Sequence, residues 1–168
     1  DMRPGPVAWG DYNNDGHLDL VVIGRTDSTA IYQSVGPWPA NSAPSCPTGL
    51  TATASEANVT FSWSPASDAE TPVAGLNYNL RVGSTPGGCD VLSGMANASS
   101  GIRFVPQIGN AQKRLAWKLK NLSVGTIYWS VQAIDTAFAG SSWAPEQMLV
   151  VGSCRISGQV MNTDGEGL

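Results

Sequence analysis

The run Val59-Thr60-Phe61-Ser62-Trp63-Ser64 alternates strictly between apolar and small polar side chains. Successive side chains of a β-strand point to opposite faces, so this pattern predicts a strand with one buried face. Similar alternation recurs at residues 50–54, 76–82, 115–119, 128–134 and 147–151. Proline, glycine, asparagine and aspartate separate these runs, and no segment shows a clear helical period. The sequence therefore predicts an all-β fold built around a β-sandwich in which each sheet has one solvated face.

The two ends of the predicted sandwich carry further sequence motifs. Pro47-Thr48-Gly49-Leu50 opens it, Trp63 lies on the second predicted strand, and Leu122-Ser123-Val124-Gly125-Thr126-Ile127-Tyr128 stands before the fifth. This combination resembles a fibronectin type III domain, with a core tryptophan and a Leu-x-x-Gly-Thr-x-Tyr corner whose tyrosine hydroxyl bonds to nearby backbone. The resemblance covers residues 46–151 and implies a spacer or binding module. Residues 84–112 are longer than such a module needs, and they form either an extra hairpin or a binding loop.

A second motif precedes the sandwich. The stretch Asp11-Tyr12-Asn13-Asn14-Asp15-Gly16-His17-Leu18-Asp19 places oxygen-bearing side chains at loop positions one, three, five and nine, with glycine at six. Ca²⁺ takes about six to eight oxygen ligands, and a tight loop can turn alternate side chains inward. An Asx-rich turn without metal is the alternative, although mutual repulsion among the carboxylates favours a cation. The predicted Ca²⁺ ligands are the side chains of Asp11, Asn13, Asp15 and Asp19 and the main-chain carbonyl of His17.

Short apolar runs flank this loop at residues 7–11, 18–23 and 30–32. Loop and flanks together resemble an FG-GAP or VCBS repeat, in which each repeat is one blade of a β-propeller and the loop binds Ca²⁺. The resemblance implies a structural Ca²⁺ ion in this chain. It also implies that the unit leaves apolar surface exposed unless neighbouring units cover it.

The predicted organisation has four parts. Residues 1–36 form the Ca²⁺-binding β repeat, residues 37–45 a proline-rich extended linker, and residues 46–151 the sandwich. Residues 152–168 read as the first strand or hairpin of a further β module, and they resemble a carboxypeptidase-regulatory-like or other Ig-like domain. The partner strand of this orphan strand would follow Leu168, so we expect the chain to be a segment of a longer protein or a processed subunit.

The chain has three cysteines, Cys46, Cys89 and Cys154. In a sandwich of the fibronectin type III kind, Cys89 and Cys154 would lie toward the same pole. The resemblance therefore implies a Cys89–Cys154 disulfide and an oxidising compartment, with Cys46 free or intermolecular. Three reduced thiols are the alternative.

Three sequons begin at Asn58, Asn97 and Asn121. They predict surface glycosylation sites if the producing cell modifies Asn-x-Ser/Thr.

Two other groups of residues have competing interpretations. Asp68 and Glu70 form either a second cation site or, as we prefer, a turn before a strand. Trp117, Trp129 and Trp143 could form a platform for stacking sugars, but alternation favours core or inter-sheet positions.

Composition restricts the function classes. Charged residues are only 13% of the chain and the net charge is −4, which argues against nucleic-acid binding. No apolar run is long enough to span a membrane as a helix. The single histidine, His17, is assigned to the metal loop, so a Ser-His-Asp device or a zinc site with several histidines is not expected.

The sequence thus predicts a non-enzymatic structural or adhesive segment that is extracellular or at the cell surface, with a protein or glycan ligand that the sequence does not identify. Two alternatives remain open. One is a subunit of an extracellular homopolymeric filament assembled by strand complementation between neighbouring chains. The other is an accessory region of a secreted hydrolase.

Overall fold

The computed structural model describes residues 5–13, 15, 17–24, 29–37 and 39–152. Within them the chain is all-β, as predicted: nine strands form three antiparallel sheets, and the helical structure is limited to the 3₁₀ turn Val73–Gly75. The strands are β1 (Val7–Gly10), β2 (Asp19–Ile23), β3 (Thr29–Tyr32), β4 (Thr48–Ser55), β5 (Asn58–Ser64), β6 (Asn77–Gly83), β7 (Ala116–Leu119), β8 (Gly125–Ile134) and β9 (Gln147–Val151). This part of the chain contains no helix long and apolar enough to cross a membrane.

The sheets β4-β5-β7 and β6-β8-β9 pack face to face around one apolar core. Phe61 of β5 meets Trp129 of β8 edge to face, with ring centroids 4.9 Å apart. Trp63 of β5 lies 5.8 Å from the ring of Tyr78 on β6. The predicted β-sandwich is confirmed, and Trp63 is buried in its core as the alternation of the second strand required.

The prediction of one solvated face per sheet is wrong for the sheet that contains β6. All seven residues of β6 are buried. Its outward side chains Asn77, Asn79 and Arg81 are shielded from water, as are Ser130 and Gln132 of the adjacent β8. Polar alternation marked the outer face correctly, but residues 84–112 cover this face in place of water. We call residues 84–112 the strap.

Hydrogen bonds from the strap replace those that water would make to β6. The side-chain amide of Asn110 donates to the carbonyl of Leu80 and accepts from the Leu80 N–H, both at 2.8 Å, as a neighbouring strand would. Gly109 lies so close to β6 that a Cβ atom there would stand 2.1 Å from the carbonyl oxygen of Tyr78. Residues 95–104 of the strap form a small hairpin, in which Phe104 donates to the Met95 carbonyl at 3.0 Å. The strap is thus an extra hairpin and a polar cover.

The predicted tyrosine corner differs from the observed contacts. The hydroxyl that bonds to backbone belongs to Tyr78, which accepts from the Ala66 N–H at 3.2 Å. Tyr128 pairs with Met148 on the outer side of β8 and β9, because the neighbouring Ile127 and Trp129 take the inward positions. Among the described residues, the Tyr128 hydroxyl has no hydrogen-bond partner.

The first sheet, in the order β1-β2-β3, exposes apolar side chains on both faces. Ile31 and Tyr32 are adjacent in β3 and therefore point to opposite faces, yet they are 44% and 49% exposed. Trp9 of β1, which is 55% exposed, extends the apolar surface on the face of Tyr32. Exposed apolar surface of this kind marks an interaction site.

We expect Asn110→Ala to lower the free energy of unfolding by about 2–3 kcal/mol, because it leaves the Leu80 N–H and carbonyl unpaired beneath the strap. Urea unfolding followed by tryptophan fluorescence measures this. Gln107→Ala is the matched control, since Gln107 is exposed and its strap contacts are made by backbone atoms. Equal effects of the two substitutions would contradict the role given to Asn110.

Candidate calcium loop and linker junction

The predicted metal loop connects β1 to β2, which are antiparallel neighbours. Gly10 and Asp19 face each other across this pair, so the loop begins and ends at the same point of the sheet. Asn14 and Gly16 lie outside the described residues. The register brings the first and last predicted ligands, Asp11 and Asp19, to the two sides of the loop base.

Three of the predicted ligands converge inside the loop. The N–H of Asp15 lies 3.1 Å from Asp11 Oδ1 and 3.1 Å from Asn13 Oδ1, so these two oxygens are close to each other. Asp15 Oδ1 accepts from the His17 N–H at 2.9 Å. Hydrogen bonds from the Asn13 side chain and then from the His17 N–H hold the pKa of Asp15 below its usual value. Asp15 is therefore an ionised carboxylate at neutral pH, which is the form that binds cations.

Asp19 occupies a different environment. Its side chain is fully buried, with Oδ2 accepting from the Tyr12 N–H at 2.9 Å and Oδ1 from the Ser34 N–H at 2.8 Å. The carboxylate thus ties the loop to the chain that follows β3. Each carboxylate oxygen has a second lone pair, so these bonds leave Asp19 able to bind a cation.

The donor set suits Ca²⁺ in chemistry, because every predicted ligand atom is a hard oxygen. Across residues 5–152, with the gaps given above, no three Asp, Glu, His or Cys side chains are arranged to hold a metal ion. The structure thus brings Asp11, Asn13 and Asp15 together and directs Asp19 to backbone N–H groups. Ca²⁺ binding stays a prediction.

The predicted linker is fastened to the sandwich. Asn41 Nδ2 donates to Asp135 Oδ2 at 2.6 Å, and the Ser42 hydroxyl donates to Glu70 Oε2 at 2.7 Å. Ser45 bonds to Ser67 through three contacts: its N–H donates to the Ser67 carbonyl at 2.8 Å, its hydroxyl accepts from the Ser67 N–H at 2.9 Å, and the two hydroxyls lie 3.1 Å apart. Sequence reasoning missed this junction, although the several hydrogen-bonding side chains among the prolines were a signal for it.

Asp135 anchors the junction from the end of β8. It is fully buried, and its Oδ1 accepts from the N–H groups of Ala137 and Ala139 at 2.9 and 2.8 Å. Burial raises the pKa of Asp135, while its hydrogen bonds, that from Asn41 first, oppose the rise. The turn that Asp135 holds gives Phe138 a φ of +66°, which an aromatic residue seldom adopts.

The turn interpretation of Asp68 is confirmed, because its Oδ1 accepts from the N–H groups of Glu70 and Thr71 at 2.9 and 2.5 Å. The three tryptophans do not form one platform. Trp129 is in the core, and Trp117 lies on β7 of the opposite sheet beside Arg114. Trp143 stacks on Arg81 at 5.2 Å and donates Nε1 to the Asn97 carbonyl.

Cys46 is half-buried and Cys89 is exposed, and neither is joined to a cysteine among the described residues. Cys154 lies outside the described residues, so the Cys89–Cys154 disulfide stays a prediction.

Among the sequon asparagines, Asn97 and Asn121 are exposed and Asn58 is half-buried. Their glycosylation likewise stays a prediction.

No protein-family model matches the chain, and no curated protein does. Among solved structures, it is similar to the crystal structure of chicken CNTN1 FN1-FN3 domains, with 13% sequence identity and a TM-score of 0.48. The match covers 90% of this chain and 45% of that one, so the chain spans less than half the length of the solved protein. No conclusion about fold or function follows from a likeness at this level.

We expect Asp135→Asn to remove the part of the decrease in the free energy of unfolding that ionisation of Asp135 causes as pH rises. The folded-state pKa of Asp135 is raised, so its stabilising contribution is present at acid pH and is lost as pH rises above the usual value of 3.8. The wild type should therefore lose stability relative to the variant as pH rises toward neutral, in urea unfolding at a series of pH values.

Asp90→Asn is the control with the opposite sign. Hydrogen bonds from Ser84 lower the pKa of the exposed Asp90, so its contribution is present at neutral pH and lost on acidification. Parallel pH profiles for the wild type and Asp135→Asn would show that burial of Asp135 does not control this slope.

Proposed function

We propose that this chain is a non-enzymatic structural segment of an extracellular or cell-surface protein, in which a fastened linker holds the β1–β3 unit against a β-sandwich. We also propose that Ca²⁺, bound in the loop between β1 and β2, stabilises the first unit. The observation that carries the proposal is the row of linker contacts at Asn41, Ser42 and Ser45.

A flexible tether leaves its polar side chains to water, whereas these three each bond to the sandwich. Two of the acceptors are the carboxylates of Asp135 and Glu70, and hydrogen bonds to ionised acceptors are stronger than neutral ones. The prolines at 37, 39 and 44 further limit the conformations open to the unfolded linker. These features support a spacer that transmits the orientation of one unit to the next.

The side chains that would hold Ca²⁺ are those of Asp11, Asn13, Asp15 and Asp19. The ion would neutralise carboxylates that otherwise repel one another across the loop. Asp19 extends the effect beyond the loop, because it also fixes the N–H of Ser34, two residues after β3. Support for this role comes from the convergence of Asp11 and Asn13 on Asp15 and from the hard oxygen chemistry of the set.

Assembly into a filament is the second candidate. The apolar side chains exposed on both faces of the β1-β2-β3 sheet favour it, because exposed apolar patches mark surfaces that bind other proteins. Sedimentation velocity separates the two candidates: a monomer at all concentrations supports the spacer, and open-ended association supports the filament.

We expect calorimetric titration to detect Ca²⁺ binding to the wild type and about tenfold or weaker binding to Asp15→Ala, because the substitution removes one ionised ligand. Asp90→Ala is the control, since Asp90 is an exposed carboxylate that accepts hydrogen bonds from Ser84, far along the chain from the loop. Heats that do not differ among the three proteins would exclude the loop as the site.

We expect the double substitution Asn41→Ala and Ser42→Ala to uncouple the tumbling of the two units, because it removes two linker contacts. ¹⁵N relaxation measures this: amides of β2 and β8 should share one correlation time in the wild type and differ in the variant. Thr51→Ala, which removes an exposed contact to Ser62 within the sandwich, should leave them equal. Separate tumbling in the wild type would contradict a rigid spacer.

A further inference from the structure

The strap residues 102–108 reverse the usual placement of apolar and charged side chains. Ile102, Phe104 and Ile108 are 69%, 65% and 62% exposed. Arg103, which lies among them, is turned inward and half-buried. Exposed large apolar side chains in a group, next to a sheltered charge, mark interaction sites more often than structural ones.

The guanidinium of Arg103 has unused hydrogen-bonding capacity. Its Nη2 donates to the carbonyls of Val105 and Gln107. Its Nε and Nη1 are sheltered from water and have no partner within the described part of the chain. The ion pair found in that same part joins Arg81 to Glu146, so no acidic side chain there forms an ion pair with Arg103. Burial leaves this charge poorly solvated and lowers the pKa of Arg103.

A cleft of about 390 Å³ opens beside Arg103. Residues 102–106 form one wall, residues 137–140 a second, and Gly10, Asp11, His17 and Leu18 of the metal loop a third. Its volume is within the range of small-ligand pockets, which is roughly 300–1,000 Å³. The second wall contains Phe138, whose positive φ is held by the buried Asp135. Backbone strain of this kind occurs preferentially at functional sites.

We propose that this cleft binds a ligand in which one carboxylate is joined to an apolar body. The carboxylate lies toward Arg103, and the apolar body packs on Ile102, Phe104 and Phe138. Nε and Nη1 are sheltered from water, so binding of the carboxylate requires residues 103–107 to shift. The inference does not depend on Ca²⁺ binding or on the spacer role.

The probes are octanoate and acetyl-Leu-Leu with a free carboxylate, each compared with its neutral amide by ¹⁵N–¹H NMR titration. We expect the acids to shift the amides of Ile102, Arg103 and Phe138 and to bind about tenfold or more tightly than the amides, as a charge-assisted hydrogen bond requires. The acid that binds with the higher affinity identifies the source of the ligand: octanoate indicates an aliphatic acid, and acetyl-Leu-Leu indicates a peptide C-terminus.

Two variants separate the contribution of the Arg103 charge to binding from that of the exposed apolar side chains beside it. Arg103→Gln should abolish the preference for acid over amide, and Ile102→Ser should weaken acid and amide alike. Arg114→Gln is the matched control, because Arg114 is an exposed arginine that stacks on Trp117 in the other sheet. It should leave binding of every probe unchanged.

Equal affinity for acid and amide, absence of shifts at the cleft, or equal losses in Arg103→Gln and Arg114→Gln would each overturn the proposal. Should Arg103→Gln fail to fold, the comparison of acid with amide on the wild type and on Ile102→Ser still decides. Ile102 is exposed, so its replacement does not disturb the core.

Discussion

A polar layer that water does not reach governs the architecture of the sandwich. Its members are the buried outward side chains Asn77, Asn79 and Arg81 of β6 and Ser130 and Gln132 of β8, and buried polar groups of this kind must find partners. Asn79 and Gln132 bond to each other across the two strands at 3.1 Å. Their remaining groups bond to the strap and to residue 141: Asn79 accepts from the Asn110 N–H, and Gln132 donates to the carbonyls of Gly101 and Ser141.

The polar layer must be covered by some part of the chain. Because hydrogen bonds are directional, the layer also determines where the strap lies on it. Gly101, held by Gln132, closes the hairpin that carries Ile102 and Arg103. Arg81 adds a second anchor, because its Nη1 donates to the carbonyl of Gly88 in the strap at 3.2 Å. Polar residues on β6 and β8 therefore determine the position of Ile102, Phe104 and the cleft beside Arg103, although these strands do not line the cleft.

Alternation in the sequence predicted the strands well, because a two-residue period follows directly from strand geometry. β9 begins and ends at the predicted residues, and Trp63 is in the core as expected. Alternation could not distinguish a polar face in water from one beneath a strap, since both carry side chains such as Asn79 and Gln132. The inward turn of Arg103 and the burial of Asp135 depend on contacts with distant residues, which one sequence does not reveal.

Asp11, Asn13 and Asp15 lie close together because all three belong to one loop, and their spacing in the sequence suffices to predict that. Their role as Ca²⁺ ligands stays a prediction.

Strap docking also has a consequence for the order of folding. The strap binds to the polar surface formed by β6 and β8, in which Asn79 bonds to Gln132, 53 residues away in the chain. These two strands must therefore pair before the strap has a surface to bind. The strap is then among the last parts to form and among the first to open. Amide protons beneath it exchange through local opening, while those of the sandwich core exchange only on global unfolding. A protein of this design can uncover its outer sheet face without losing its core.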